Sequence, residues 1–480
     1  MRIRSIRTVA LVLGGPALGL LAWALLPEET LGSDGRIVAG LALWMALWWL
    51  TEVVPVAATA LLPMAVLPLA GLSPRTVAAQ YAHPLIFLFL GGFLLALAVE
   101  RWGLHRRLAL MTLSIVGHSP RRISAGVMVA TALMSMWISN TATALVMLPI
   151  AVSLAESVGE EDDEGSRRLR PVLALSVAYG ASIGGIGTLV GTPPNLFLAS
   201  FARDHLDVSI DFSRWLLVGI PLVALLLPLA WWLLTGPLFR LGDAPLNPSV
   251  SAREALRGLG PPSSGEWRVA LVFGLVAAMW VFRPWLTGLE IGGMRPLAHL
   301  TDSGSALLGG LALFALPGEE GHRLLEWPDT ARLPWGTLVL FGGGLALAKA
   351  LESSGVTAAL GAGAERLGAV PPWLGLLVVT TVVIFLTELT SNTATTATLV
   401  PVLAAMAPAL GLAPLQLATA AAVAASCAFM LPVATPPNAI VFGSGHVTMA
   451  EMRRAGLWLN AVAIVVVTLV SGLLLPRVFP

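Results

Sequence analysis

Charge is scarce in this chain. Only 11% of its 480 residues are Asp, Glu, Lys or Arg, against about 25% in an ordinary globular domain. So little charge cannot cover a folded surface in water. That excludes a soluble enzyme, a disordered chain and a nucleic-acid binder. The net charge is +1, from 28 basic and 27 acidic residues, so no whole-chain field draws a polyanion. One cysteine, Cys427, excludes a disulfide framework and a cysteine-ligated metal. The seven histidines stand singly, with no His-x-x-x-His pair, and Lys349 is the only lysine.

What the chain has is apolar length. Hydrophobic residues make up 56% of it and the mean hydropathy is +0.84. It reads as an all-α polytopic membrane protein. A bilayer core takes about 20 apolar residues per helix. Runs near 8–26, 36–50, 53–70, 84–100, 172–200, 214–235, 267–282, 304–317, 335–351, 416–442 and 456–476 predict about 11 transmembrane helices. Two further apolar stretches, near 123–155 and 372–410, are interrupted by small polar residues and proline. They read as re-entrant hairpins, a shape tolerated only against protein or a wet cavity. The acidic run 159–168 and the Pro/Ser/Gly-rich connector 242–266 are predicted to be aqueous. The first run follows three arginines and lacks a clean cleavage site, so it is expected to stay as a helix. Most basic residues, among them Arg2, Arg4, Arg7, Arg106, Arg107, Arg121 and Arg122, then fall on one side. The positive-inside rule places the N-terminus inside and the C-terminus outside.

The halves repeat. Leu88-Phe89-x-Gly91-Gly92-x-x-Leu95-Ala96 returns 252 residues later as Leu340-Phe341-x-Gly343-Gly344-x-x-Leu347-Ala348. At the same shift Ser139-Asn140-Thr141-Ala142-Thr143 with Pro149 returns as Ser391-Asn392-Thr393-Ala394-Thr395 with Pro401. Thr192-Pro193-Pro194-Asn195 returns as Thr435-Pro436-Pro437-Asn438 at a shift of 243. Shared leucines are weak evidence between membrane segments, but these polar motifs are not explained by composition. The predicted spans give the two hairpins opposite topology, and inverted repeats with broken helices are a transporter signature.

The motif chemistry suits anions and small cations. A Ser-Asn-Thr tip offers hydroxyls, a carboxamide and the N–H groups that open a helix, which favour an anionic oxygen without a fixed charge. The Asn amide can donate to a carboxylate while its oxygen faces a cation. Tandem prolines free the carbonyls before them, and freed carbonyls with hydroxyls make a hard-oxygen cage for Na⁺. Ser135 and Thr387, each four residues before its motif serine, lie one helical turn below the tips and are candidate ligands. Glu388 is a candidate because a buried acid in a membrane is costly, and it could as easily point into a polar gap. It, or a second oxygen cluster, is the place for an extra ion. Gly91-Gly92 and Gly342-Gly343-Gly344 are read as sites of close helix approach, and Glu52, Glu100, Glu352 and Lys349 as structural.

These paired motifs resemble those of the divalent anion:sodium symporter (DASS) family, of the sodium/dicarboxylate cotransporter type. The resemblance covers nearly the whole chain. It implies a homodimer in a bacterial or archaeal cytoplasmic membrane, with scaffold and transport domains working as an elevator. The expected division is scaffold 1–83, transport 84–213, scaffold 214–334 and transport 335–480. It implies substrate contacts at Asn140, Thr141, Thr192, Pro193, Ser391, Asn392, Thr393, Thr435 and Pro436. It implies one sodium site at Ser135, Ser139, Asn140 and Gly191, and a second at Thr387, Thr390, Asn392 and Ala434. Thr192 stands where many members have Ser. Exchanger members carry basic side chains where the ions would sit. The segments 135–143, 187–195, 387–398 and 434–438 hold no Lys, Arg or His, which favours cotransport.

The expected function is therefore sodium-coupled symport of C4-dicarboxylates such as succinate, malate or fumarate, with two or three Na⁺ per substrate, and no enzymatic activity. The alternatives are the same machine for sulfate, citrate or another oxyanion, or an anion exchanger. A channel or a membrane-embedded enzyme would need a charged ring, a metal cluster or a nucleophile–base pair, and none is evident.

Overall fold

The computed structural model describes residues 2–115, 119–156, 164–242, 252–319, 321–365 and 370–480. Among these the chain is helical throughout, with two isolated bridges, Ile291 to Met294 and Pro317 to Arg323, and no strand. Among the described residues, six helices are long and apolar enough to cross a membrane, including Thr8–Leu25, Ser264–Gly288 and Met449–Val478. Asn140–Ala155, Asp302–Ala315, Pro372–Thr387 and Pro414–Ala425 are among the shorter apolar helices.

Three of the expected spans are not single helices. The run 53–70 breaks into Val56–Thr59, Leu62–Val66 and Leu67–Ala70. Pro55, Pro63 and Pro68 each remove a backbone donor there. The runs 172–200 and 416–442 are each interrupted before a Thr-Pro-Pro-Asn motif. Glu164–Ile186 stops and restarts as Pro193–His205, and Pro414–Ala425 restarts as Pro436–Gly443. The acidic run 159–168 lies outside the described residues up to 163, and from Glu164 it belongs to the first broken helix. Within the connector 242–266, residues 243–251 lie outside the described residues. Ala252–Gly258 is helical and packs on Leu104–Ser114.

Both hairpins form. The first has arms Pro120–Ser135 and Asn140–Glu156, the second Pro372–Thr387 and Asn392–Met406. Each tip is the Ser-Asn step itself, because the motif serine caps the returning arm. Ser139 Oγ accepts from the Ala142 N–H at 3.3 Å and Ser391 Oγ from the Ala394 N–H at 3.5 Å.

The repeats interlock. Glu164–Ile186 packs along the first arm of its own hairpin, and Pro414–Ala425 packs against both arms of the second. The restarted halves cross over. Pro193–His205 lies against Asn392–Met406 and Pro414–Ala425, while Pro436–Gly443 lies against Asn140–Glu156 and Glu164–Ile186. Each Thr-Pro-Pro-Asn motif is thereby set beside the opposite repeat. The leading helices differ: Pro84–Arg101 packs mainly on Asp302–Ala315, whereas Trp335–Ser353 also packs on Pro193–His205 and Asn392–Met406. Gly91 meets the backbone of Ala306 in Asp302–Ala315, and Gly343 meets the carbonyl of Ala60. A Cβ at either place would overlap backbone, which supports the close-approach reading of these glycines. Glu100 pairs with Arg332, and Glu352 with Lys349 and His205, as structural charges at helix ends.

Candidate binding site

The first hairpin tip closes over a gap in the first broken helix. The Ser135 hydroxyl lies 2.6 Å from Asn140 Oδ1 and 2.7 Å from the carbonyl of Ala181. The Asn140 amide sits over Gly185, where no side chain would fit, and the backbone of Gly191 closes on Gly185 from the other side. Ser135, Asn140 and Gly191 therefore gather around one glycine, with Ser139 adjoining in the chain. Every polar group there is neutral and oxygen-rich, a donor set for a hard cation.

The second tip repeats this. The Thr387 hydroxyl lies 2.8 Å from Asn392 Oδ1 and 2.9 Å from the carbonyl of Ala425. Thr390 and Thr395 share a hydrogen bond at 2.7 Å, and Thr390 also donates to Leu386 O. The Thr390 side chain is thus committed within the hairpin, leaving its carbonyl as the group it can offer an ion. Ala434, 6% exposed, lies in the gap before the second restart, and its N–H bonds Leu431 O.

The two restarts differ. Thr435 Oγ1 caps its helix through the Asn438 N–H at 3.3 Å, whereas Thr192 makes no capping bond. Thr192 is buried, and its hydroxyl is not spent on capping the helix it precedes. Pro193 and Pro436 open the restarted helices at a position where no N–H is needed. Thr141 and Thr393 are half-buried in the first turn of the returning arms, where helix N–H groups point toward the tip.

Three polar residues outside the expected set, and the candidate Glu388, hold this backbone. Asn195 Nδ2 reaches the carbonyls of Gly185, Ile186 and Thr188 at 3.2, 3.1 and 2.8 Å. Asn438 Nδ2 does the same to Ala428 and Leu431 at 3.2 and 3.0 Å. These asparagines clip the unwound carbonyls in place, and their repetition in the motif was the available signal. Trp215 Nε1 donates to Ile186 O at 2.9 Å. Glu388 accepts only N–H groups, from the 429–431 backbone and Asn460. It is therefore not placed as an ion ligand, contrary to the expectation that it could hold an extra ion.

The tips also sit in different surroundings. Trp137, beside the first tip, packs against Phe212 at 5.7 Å, Phe273 at 5.1 Å and Trp280 at 6.4 Å between ring centroids. Arg283 pairs with Asp211 and Asp302, both at 2.8 Å, and fastens Phe212 beside that cluster. The equivalent of Trp137 in the second repeat is Leu389, 70% exposed, and nearby Val433 is 79% exposed.

A family model described as the sodium:sulfate symporter transmembrane region matches residues 15–476. The sodium-dependent dicarboxylate transporter SdcS of Staphylococcus saprophyticus is 40% identical over 481 residues, which cover 98% of this chain and 92% of that protein. SdcS of Staphylococcus aureus strain USA300 is 39% identical over 481 residues, with 98% and 91% covered. A solved structure, the YdaH transporter of Alcanivorax borkumensis, is similar in fold. It has a TM-score of 0.58 at 18% identity, covering 82% of this chain and 86% of that one.

Proposed function

The chain belongs to the sodium:sulfate symporter family, the divalent anion:sodium symporters, and from that premise we propose that it carries C4-dicarboxylates into the cell together with Na⁺. It is an integral membrane transporter and not an enzyme. The observation that carries the substrate reading is the matched pair of tips. Ser135 with Asn140 and Thr387 with Asn392 make the same contact, each beside freed carbonyls. Each Asn oxygen faces a hydroxyl oxygen, a place for a cation, and leaves the amide nitrogen for a carboxylate. A dianion with two separated carboxylates suits two such tips better than a compact tetrahedral oxyanion does. The naming of the SdcS relatives agrees with this choice.

In mechanism, Na⁺ at the two cages neutralises a dianion in a pocket that lacks basic side chains. Asn140 and Asn392 bridge ion and substrate. Thr141, Thr192, Pro193, Ser391, Thr393, Thr435 and Pro436 line the substrate. Two Na⁺ make the cycle electrically silent, and a third makes it carry one positive charge inward. One charge through 100 mV is worth about 2.3 kcal/mol.

The elevator, the homodimer and the N-in, C-out orientation belong to the same proposal. Two helices depart in this proposal from the expected division, which put 84–213 in the transport domain and 214–334 in the scaffold. Packing supports counting Phe212–Leu233 with the moving part, since it lies on Glu164–Ile186 and Met449–Leu469. Pro84–Arg101, packed on Asp302–Ala315, goes with the fixed part. The cluster around Trp137 then joins moving to fixed parts, and the uncovered second tip marks the side from which the site opens.

The test is uptake of labelled succinate into proteoliposomes under a Na⁺ gradient, competed with sulfate and citrate. Uptake that needs Na⁺ and yields to unlabelled succinate or malate is expected. Uptake unchanged when choline replaces Na⁺, or driven only by substrate on the opposite side, would sink the symport reading. Preferential competition by sulfate would move the substrate to the alternative.

A further inference from the structure

The two unwound stretches are held in different ways, and one position makes the difference. At the shift of 252, Met136 of the first hairpin corresponds to Glu388 of the second. Met136 lays its thioether against Gly187, and its carbonyl accepts from Thr188 Oγ1. Glu388 ends the first arm of its hairpin and is 3% exposed. Its Oε1 accepts from the N–H groups of Phe429 and Met430 at 2.7 and 2.9 Å and from Asn460 Nδ2 at 2.8 Å. Its Oε2 accepts from the Leu431 N–H at 3.0 Å.

Three consecutive backbone N–H groups aimed at one point form an anion nest. Here the anion is part of the chain. A carboxylate has about four lone-pair sites, and four N–H donors hold this one, three at Oε1 and one at Oε2, so both of its oxygens are engaged by the chain. The neighbours reinforce the arrangement. Gly456 lets Met449–Leu469 lie directly on the backbone of Phe429 and Met430, and Asn460, one turn further on the same face, reaches the carboxylate. Tyr179 Oη donates to Phe429 O at 3.1 Å, and Asn438 holds the carbonyls of Ala428 and Leu431.

We propose that Glu388 is a positioning residue for the second sodium cage. It fixes the backbone from 428 to 434 before the ion arrives, and its charge, one residue beyond Thr387, adds to the pull on that ion. The first cage, packed by Met136 and held by Asn195 and Trp215 instead, has no carboxylate holding its backbone and no such charge. The second cage is therefore the tighter of the two. This rests on the Na⁺-coupled reading above.

The experiment uses the full chain in proteoliposomes and follows succinate uptake against Na⁺ concentration, with the charge moved per succinate recorded alongside. Glu388→Gln keeps the shape but turns an NH₂ group toward a backbone donor. Its Na⁺ half-saturation should rise about tenfold or more, the scale of one lost hydrogen bond to a charged group. The succinate KM at saturating Na⁺ should stay within about threefold, and the charge per succinate should not change. Asn460→Leu removes one of the four donors and should shift Na⁺ half-saturation in the same direction by less. It also decides the matter if Glu388→Gln does not reach the membrane folded. Unshifted Na⁺ half-saturation in the folded variants would overturn the proposal. So would a loss of one charge per succinate, which would make Glu388 an ion ligand. Na⁺-independent uptake by the unaltered protein would overturn the coupling reading itself, and this proposal with it. An unaltered protein that needs Na⁺, beside unshifted variants, would overturn this proposal alone.

Discussion

The two hairpin tips carry the same five residues, Ser-Asn-Thr-Ala-Thr, yet one is docked and the other is bare. Trp137 beside the first tip is wedged among Phe212, Phe273 and Trp280, while its counterpart Leu389 is 70% exposed. In the proposed reading, the identical chemistry at the tips serves the ligands. Unequal surroundings fit the proposed alternation, in which the two halves of the inverted repeat are uncovered in turn. The shared residues are thus predicted to respond alike to mutation, and the unshared neighbours unlike.

The largest effect should come from the shared residues. Asn140→Ala and Asn392→Ala each remove a group with a hydroxyl partner at 2.6 and 2.8 Å. Each should cost roughly 1.5–3 kcal/mol of binding, expressed together in Na⁺ and succinate affinity. Isothermal titration of the purified variants with succinate at several Na⁺ concentrations measures both. A large loss at one asparagine and none at the other would break the functional symmetry, whatever the resemblance of the tips.

The unshared neighbours come next. Each aromatic pair adds about 0.5–1.5 kcal/mol beyond burial, so Trp137→Ala should loosen the dock of the first hairpin and shift the population toward a covered second tip. Cys427 is fully buried, so a cysteine introduced at Leu389 can be followed without removing it. Labelling of Leu389→Cys by an impermeant thiol reagent should slow severalfold when Trp137→Ala is added, since about 1.4 kcal/mol is tenfold in population. An unchanged labelling rate would mean that the aromatic cluster does not set the state. Leu389→Ala alone should leave transport close to its starting level.

Much of this was legible before any coordinates. The shifts of 252 and 243 located both hairpins, both gaps and the hydroxyl–asparagine pairs, because polar motifs repeated inside apolar helices have few other reasons to exist. What escaped were partners set by tertiary contact. Glu388 reads as a possible ion ligand until Phe429, Met430, Leu431 and Asn460, 41 to 72 residues away, take up its oxygens. Asn195 and Asn438 sat in plain view within their motifs, but nothing local says that their amides turn back onto carbonyls seven to ten residues earlier. The run 53–70 reads as one span because total hydropathy hides the three prolines that cut it.

The smallest effect, and the finest division between the repeats, lies at the two motif threonines. Thr435 spends its hydroxyl on the Asn438 N–H and so caps its helix, while Thr192 leaves its own uncommitted. Replacing each by valine keeps the volume and removes the oxygen. Thr435→Val should lose a helix cap, worth about 1 kcal/mol, and should lower the detergent-solubilised melting temperature by a few degrees. Thr192→Val loses no cap, so its melting temperature should stay put while succinate affinity falls by the net value of one hydrogen bond, about 0.5–1.5 kcal/mol. Thermal melts with and without saturating succinate and Na⁺ separate the two, because a weakened ligand lowers only the ligand-induced shift. Matching losses of basal stability in both variants would show that Thr192 also holds its helix, and would remove it from the substrate side of the site.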